Sequence, residues 1–240
     1  MNKECFGRAD VKEFDPFLML DAFDSRNPED YVKGFPWHPH RGIETVTYLI
    51  SGDIEHGDSL GNRGHILSGG CQWMTAGSGI VHQEMPQPAE RMLGLQLWLN
   101  LPRADKWTDP QYRDITAALI PKVREESGGV SVISGTYGKA QGATQGDYVP
   151  ATILDVDLKP GAPWRPAVDS DATLFIYTVQ GEGLFASASA PHRKPPSRSL
   201  RRRRCVCGSG RVRGSAIHPF LRQAAAGTLR SFPTSRSEPS

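Results

Sequence analysis

FPWHPHRGIETVTYLISGD, residues 35–53, sets two of the chain's seven histidines one residue apart, directly before a run rich in Thr, Val and Ile. Side chains at i and i+2 of an extended segment leave the same face, so His38 and His40 present two imidazoles side by side. The same spacing returns in QWMTAGSGIVHQEMPQ, residues 72–87, where His82 and Glu84 share one face of a second candidate strand. If the two strands are neighbours in one barrel, three ring nitrogens and one carboxylate converge. Those donors suit a borderline divalent ion, and a mononuclear non-haem Fe(II) centre uses a similar set with positions open for substrate and oxygen. Glu44 competes for the carboxylate place, because a strand continuing from His40 would put it on the same face four residues later. His56 and His65 stand alone beside turns and read as structural or surface groups.

Outward from these motifs the periodicity is mostly two. Residues 45–50, 71–75, 79–85, 93–100, 130–137, 151–158 and 173–179 read as strands, and SGD, SLGNRG, LSGG, TAGSG, SGTYG, KPGAP and QGEG between them as turns. A helix is expected only near 109–119. The fold class is therefore all-β, with spacing that suits a small barrel or jelly roll. Trp73 and Met74 are expected to pack in its core, while Phe35 and Trp37 are candidates to wall a flat ligand.

Composition agrees: 240 residues with 25 Gly and 19 Pro fit a turn-rich β protein. No apolar run approaches the roughly 18 residues of a membrane span, and the charged opening MNKECFGRADVKEF is unlike a signal peptide. The expectation is a cytoplasmic chain with no membrane partner. Four cysteines, Cys5, Cys71, Cys205 and Cys207, do not form a disulfide framework. The net charge of +2 conceals a division: residues 1–186 hold 16 basic and 25 acidic groups, and residues 187–240 hold 12 and 1. The second stretch is rich in Ser, Pro, Arg, Gly and Ala, lacks Trp and Tyr, and reads as a disordered tail. Its RRRR at 201–204 could attract phosphates only nonspecifically, and Cys205 and Cys207 lack zinc-site spacing, so no specific nucleic-acid partner is expected.

HPHRGIETVTYLISGDIEHGDSLGNRG, QWMTAGSGIVHQEMPQ and LGLQLWLNLP together resemble the pirin family of the cupin superfamily, over nearly all of residues 12–185; the opening EFDPFLMLDAF is similar to that family as well. The resemblance implies two cupin barrels: a metal-binding one over 1–125 and an incomplete second one over 126–186, followed by the tail 187–240. It puts the metal on His38, His40, His82 and Glu84 and removes Glu44 from the ligand set. It implies one divalent ion, Fe(II) first, with Mn, Ni, Cu or Zn as alternatives. The implied activity is that of a quercetin 2,3-dioxygenase acting on a flavonol and O2, with Glu84 as base. The alternative is a non-catalytic, redox-responsive metal protein that binds a transcription regulator or a metabolic enzyme.

Beyond residue 186 the resemblance stops. A pirin continues with further strands and a segment like Ser-Gly-Lys-Pro-Leu-Arg-Glu. Codons permitted for FLRQAAAGT, residues 220–228, advanced by one base, can spell Ser-Ser-Gly-Lys-Pro-Leu-Arg-Glu-Pro. The expectation is a shift of reading frame between about 186 and 219, leaving strand 173–179 short of neighbours. Reading the gene checks this: a frame that restores further barrel strands is expected, and an intact frame that restores none contradicts it.

Overall fold

The computed structural model describes residues 2–168, 172–181, 184–185, 205–208, 213–214 and 224–231. Two compact units divide the chain, one of residues 1–121 with 146–149, the other of 122–145 with 150–240. Among the described residues, no helix is long and apolar enough to cross a membrane.

The first unit holds ten strands: β1 (Asn2–Phe6), β2 (Phe17–Ser25), β3 (Phe35–His40), β4 (Ile43–Ser51), β5 (Asp53–Asp58), β6 (Arg63–Leu67), β7 (Cys71–Thr75), β8 (Ile80–Pro86), β9 (Met92–Asn100) and β10 (Gln111–Ile115). They form a six-stranded sheet, β1-β2-β9-β4-β7-β10, and a four-stranded sheet, β3-β8-β5-β6. Every pairing in both is antiparallel. Antiparallel strands with two-fold periodicity bury one side chain in two. Along β4 the inward positions run Ile43, Thr45, Thr47, Leu49, with apolar groups at both ends and hydroxyls between. Leu49 packs with Phe23, Ile54, Ile66 and Met92 from both sheets, and Ile43 with Met74, Ala76 and Ile80. A polar layer thus lies between two apolar plugs. Trp73 and Met74 are buried, as their sequence context predicts.

Two expectations are corrected here. The segment expected to be helical near 109–119 is instead β10, because the backbone of β7 pairs with it from Gln111–Thr75 to Ile115–Cys71. Local propensity yields to that non-local ladder. Glu44 does not share a face with the two histidines, because the chain leaves one sheet after His40 and enters the other at Ile43. It lies three residues from the inward Thr47, hence on the opposite face of β4, where it accepts from Thr75 Oγ1 at 2.8 Å.

In the second unit are β11 (Lys122–Glu125), β12 (Gly128–Ser134), β13 (Thr136–Tyr137), β14 (Ala140–Gln141), β15 (Ala151–Leu158), β16 (Leu174–Gln180), β17 (Leu184–Phe185), β18 (Cys205–Gly208), β19 (Arg213–Gly214) and β20 (Ala224–Ser231). One sheet runs β11-β12-β15-β20-β16-β18, and its core joins Val130, Val132, Leu154, Val156 and Ile176. β20 lies between β15 and β16 and runs parallel to both. Strand 173–179 is therefore not short of neighbours, contrary to expectation. The rest of the tail, where disorder was expected, lies outside the described residues.

Two glycine turns link the sheets of the first unit. Gly42, between β3 and β4, and Gly77, between β7 and β8, have φ of 70° and 50°, in the left-handed region that a side chain disfavours. The amide of Gly42 donates to the carbonyl of Gly77 at 2.8 Å, tying the turns together. A Cβ at Gly77 would stand 2.1 Å from the Thr108 carbonyl oxygen, which is backbone and has little freedom to yield. Gly77→Ala is therefore expected to destabilise the protein by about 2 kcal/mol or more, read as a lowered urea midpoint at unchanged slope.

Candidate metal centre

β3 and β8 bring the predicted donors together. In their antiparallel register His38 faces His82 directly, and an irregularity between Phe35 and His38 sets Phe35 opposite Glu84. β3 is an edge strand, which is where a sheet tolerates residues such as Pro36 and Pro39 that lack an amide hydrogen. The ring centroids of His38, His40 and His82 lie 4.8, 4.4 and 5.0 Å apart, taken as His38–His40, His38–His82 and His40–His82. One nitrogen from each ring lies within 4.8 Å of the other two. Two nitrogens about 2.1 Å from a shared ion stand at most about 4.2 Å apart, so a small rotation of the rings completes a three-nitrogen seat.

Hydrogen bonds prepare these rings as donors. His38 Nδ1 lies 2.8 Å from the Pro36 carbonyl oxygen, which can only accept. The proton therefore sits on Nδ1 and the lone pair on Nε2. His82 Nε2 is buried with no hydrogen-bond partner. An orphaned buried nitrogen is costly in a finished core and is what an ion-binding site requires. Burial, reinforced by the neighbouring imidazoles, lowers the pKa of His40 to about 4 and of His82 to about 3. Both are neutral, with lone pairs available, at physiological pH.

Glu84 is almost fully buried but lies outside the three-imidazole group. Its Oε1 accepts from Thr47 Oγ1 at 3.0 Å and its Oε2 from Gln96 Nε2 at 2.6 Å. Burial raises its pKa, against the pull of those two donors. Gln96 also donates to Thr47 Oγ1 at 3.2 Å, and its Oε1 accepts from Trp98 Nε1 at 3.3 Å. The Trp98 ring stands nearly perpendicular to His40, with centroids 4.9 Å apart. Thr47, Gln96 and Trp98 escaped the sequence reading. A signal existed: LGLQLWLN carries Gln at an inward position with Leu on either side of it.

A second polar cluster lies across the same interior. His56 is buried, stacks on Tyr112 with centroids 4.5 Å apart, and shares a hydrogen bond with the Tyr112 hydroxyl, which also meets Asp114 and Gln72. Its burial fits a structural role. His65 is exposed and pairs with Asp53 at 2.8 Å. Phe35 and Trp37 are exposed on the ligand strand.

A family model described as Pirin matches residues 1–99. A Pseudomonas aeruginosa protein provisionally named a quercetin 2,3-dioxygenase is 46% identical over 182 residues, 73% of this chain and 64% of that protein. Pirin of Homo sapiens is 40% identical over 197 residues, 81% of this chain and 66% of that protein. The crystal structure of a quercetin 2,3-dioxygenase from Acinetobacter baumannii superposes with a TM-score of 0.55 at 37% identity, over 61% of this chain and 54% of that one. The chain spans somewhat under two thirds of the first curated relatives, 64%, 63% and 65% of their lengths. An all-β first unit that carries the HxH and HxE strands side by side, together with this similarity, places the chain in the pirin family of the cupin superfamily.

Proposed function

We propose that the chain is a metal-dependent dioxygenase of the quercetin 2,3-dioxygenase type, acting on a flavonol and O2 in the cytoplasm. The observation that carries this reading is the gathering of three imidazoles, one of which, His82, has a buried Nε2 without a hydrogen-bond partner. The names of the Pseudomonas and Acinetobacter relatives support it. His38, His40 and His82 hold one divalent ion, Fe(II) in first place with Mn, Ni, Cu or Zn as alternatives, and Glu84 is the fourth donor. When bound, such an ion supplies Lewis acidity that makes a flavonol 3-hydroxyl acidic near neutral pH, and in the case of iron one-electron chemistry towards O2.

The chain's own side chains do the rest. Glu84 takes the 3-hydroxyl proton, and its burial makes it a stronger base than an exposed carboxylate. Thr47 and Gln96 hold that carboxylate in place while it waits. Phe35, 40% exposed with its ring centroid 6.4 Å from that of His38, offers an apolar face beside the least buried of the three imidazoles. A second reading, a redox-responsive metal protein that binds a transcription regulator or metabolic enzyme, draws on one observation: Phe35, Trp37 and Val81 are exposed apolar groups on the two ligand strands.

Oxygen uptake separates the two readings. Iron-loaded protein is expected to consume O2 when given quercetin, His82→Ala to lose both iron and uptake at least tenfold, and Glu84→Gln to lower kcat about a hundredfold. Iron-loaded protein that consumes no O2 with quercetin overturns the enzymatic reading. The depressed imidazoles also predict a pH dependence in the metal-free protein. His40 and His82 titrate near 6.5 when unfolded but near 4 and 3 when folded. Below pH 6.5 the unfolded chain binds protons that the folded chain refuses, so stability falls as pH drops from about 6.5 towards 4. Between pH 6.5 and 5, His82→Asn should lose about 1–2 kcal/mol less than the unsubstituted chain, measured by urea titration at each pH.

A further inference from the structure

The geometry points to Gln96 as a positioning residue whose amide, set by Trp98 and shared with Thr47, competes with the metal ion for the carboxylate of Glu84. The inference rests on the metal-site reading above and adds to it the device that governs its fourth donor.

An amide has a donor end and an acceptor end, and which end meets a carboxylate depends on what orients it. The indole N–H of Trp98 can only donate, so it meets Gln96 Oε1 and turns Nε2 towards Glu84. Thr47 and Gln96 are direct register partners on β4 and β9, so the clamp is built on the six-stranded sheet. The three imidazoles and Glu84 itself come from β3 and β8 of the other sheet. Glu84 is thus drawn away from its own strand's histidine. Both of its oxygens are engaged, one by each clamp residue, whereas His82 Nε2 has no partner at all. Glu84 lies outside the three-imidazole group, so to reach an ion seated there its carboxylate has to move, and that movement strains the hydrogen bonds it takes from the opposite sheet. Trp98 connects the two halves, because the ring that orients Gln96 also packs against His40.

Removing the Gln96 donor leaves a buried carboxylate oxygen short of a partner in the metal-free state, which is costly. The ion then becomes the better partner, and binding tightens. Co(II) alone is a suitable probe, because its visible absorption reports the number and kind of its donors. In full-length protein stripped of metal, Gln96→Leu is expected to tighten Co(II) binding about tenfold, the equivalent of one hydrogen bond lost from the metal-free state, and to change the spectrum. Trp98→Phe, which keeps a ring but frees the amide to turn over, should give a shift of the same sign and smaller size. In a Glu84→Ala background, where the three imidazoles still bind Co(II), Gln96→Leu should move Kd less than about twofold. Co(II) binding that is unchanged or weaker in Gln96→Leu, or the same shift with and without Glu84, overturns the clamp. If Glu84→Ala alone leaves both Kd and spectrum unaltered, the ligand reading of Glu84 fails and takes the clamp with it. A Glu84→Ala effect without a Gln96 effect sinks the clamp only. Should Gln96→Leu not fold, Gln96→Asn, one methylene shorter, carries the same comparison.

Discussion

The register between β3 and β8 is the constraint on which the first unit's chemistry depends. Side chains alternate along a strand, so a slip of one residue would send His38 and His40 outward and leave His82 and Glu84 facing nothing. Several features fix that register. His38 pairs opposite His82, β8 pairs on its other side with β5, and the hydrogen-bonded turns at Gly42 and Gly77 hold the sheet-to-sheet crossings next to one another. Apolar clusters at the two ends of the interior resist any sliding that would bring hydroxyls and imidazoles among aliphatic side chains.

Between those clusters the protein buries a set of groups that oppose its own stability. Two imidazoles held neutral, those of His40 and His82, a carboxylate held at raised proton affinity and a nitrogen without a partner all favour the unfolded chain when no cation is present. An ion among them would reverse the balance, because neutral nitrogens and an available carboxylate would then be assets. Folding energy and ligand affinity are coupled through the same few atoms. Glu84 comes from β8 but takes its hydrogen bonds from the opposite sheet.

Much of this arrangement was legible in the sequence, because it rests on period-two alternation over short distances. The i, i+2 spacing of His38 with His40 and of His82 with Glu84 needs no tertiary information, and the structure places the three histidines together. Parity misled where the chain turns: counting from His40 to Glu44 ran through Arg41 and Gly42, where one strand ends and the next belongs to another sheet. The helix expected near residue 112 failed for a different reason, since only the pairing with β7 makes Gln111–Ile115 a strand. The cluster of His56, Tyr112 and Asp114 joins residues more than fifty positions apart, and no local pattern announces it. Gln96 was visible as an amide between apolar residues of its strand, but its partner on the facing sheet was not.

The prolines of β3 reach beyond the site. This strand lies at the border of its sheet and carries Phe35 and Trp37 in the open, the combination that ordinarily recruits a stranger's backbone and seeds fibrils. Two of its six residues are proline, so a would-be partner finds a broken row of amides and cannot zip along it. The chain can therefore keep aromatic surface beside its three gathered histidines without inviting its own copies to polymerise there.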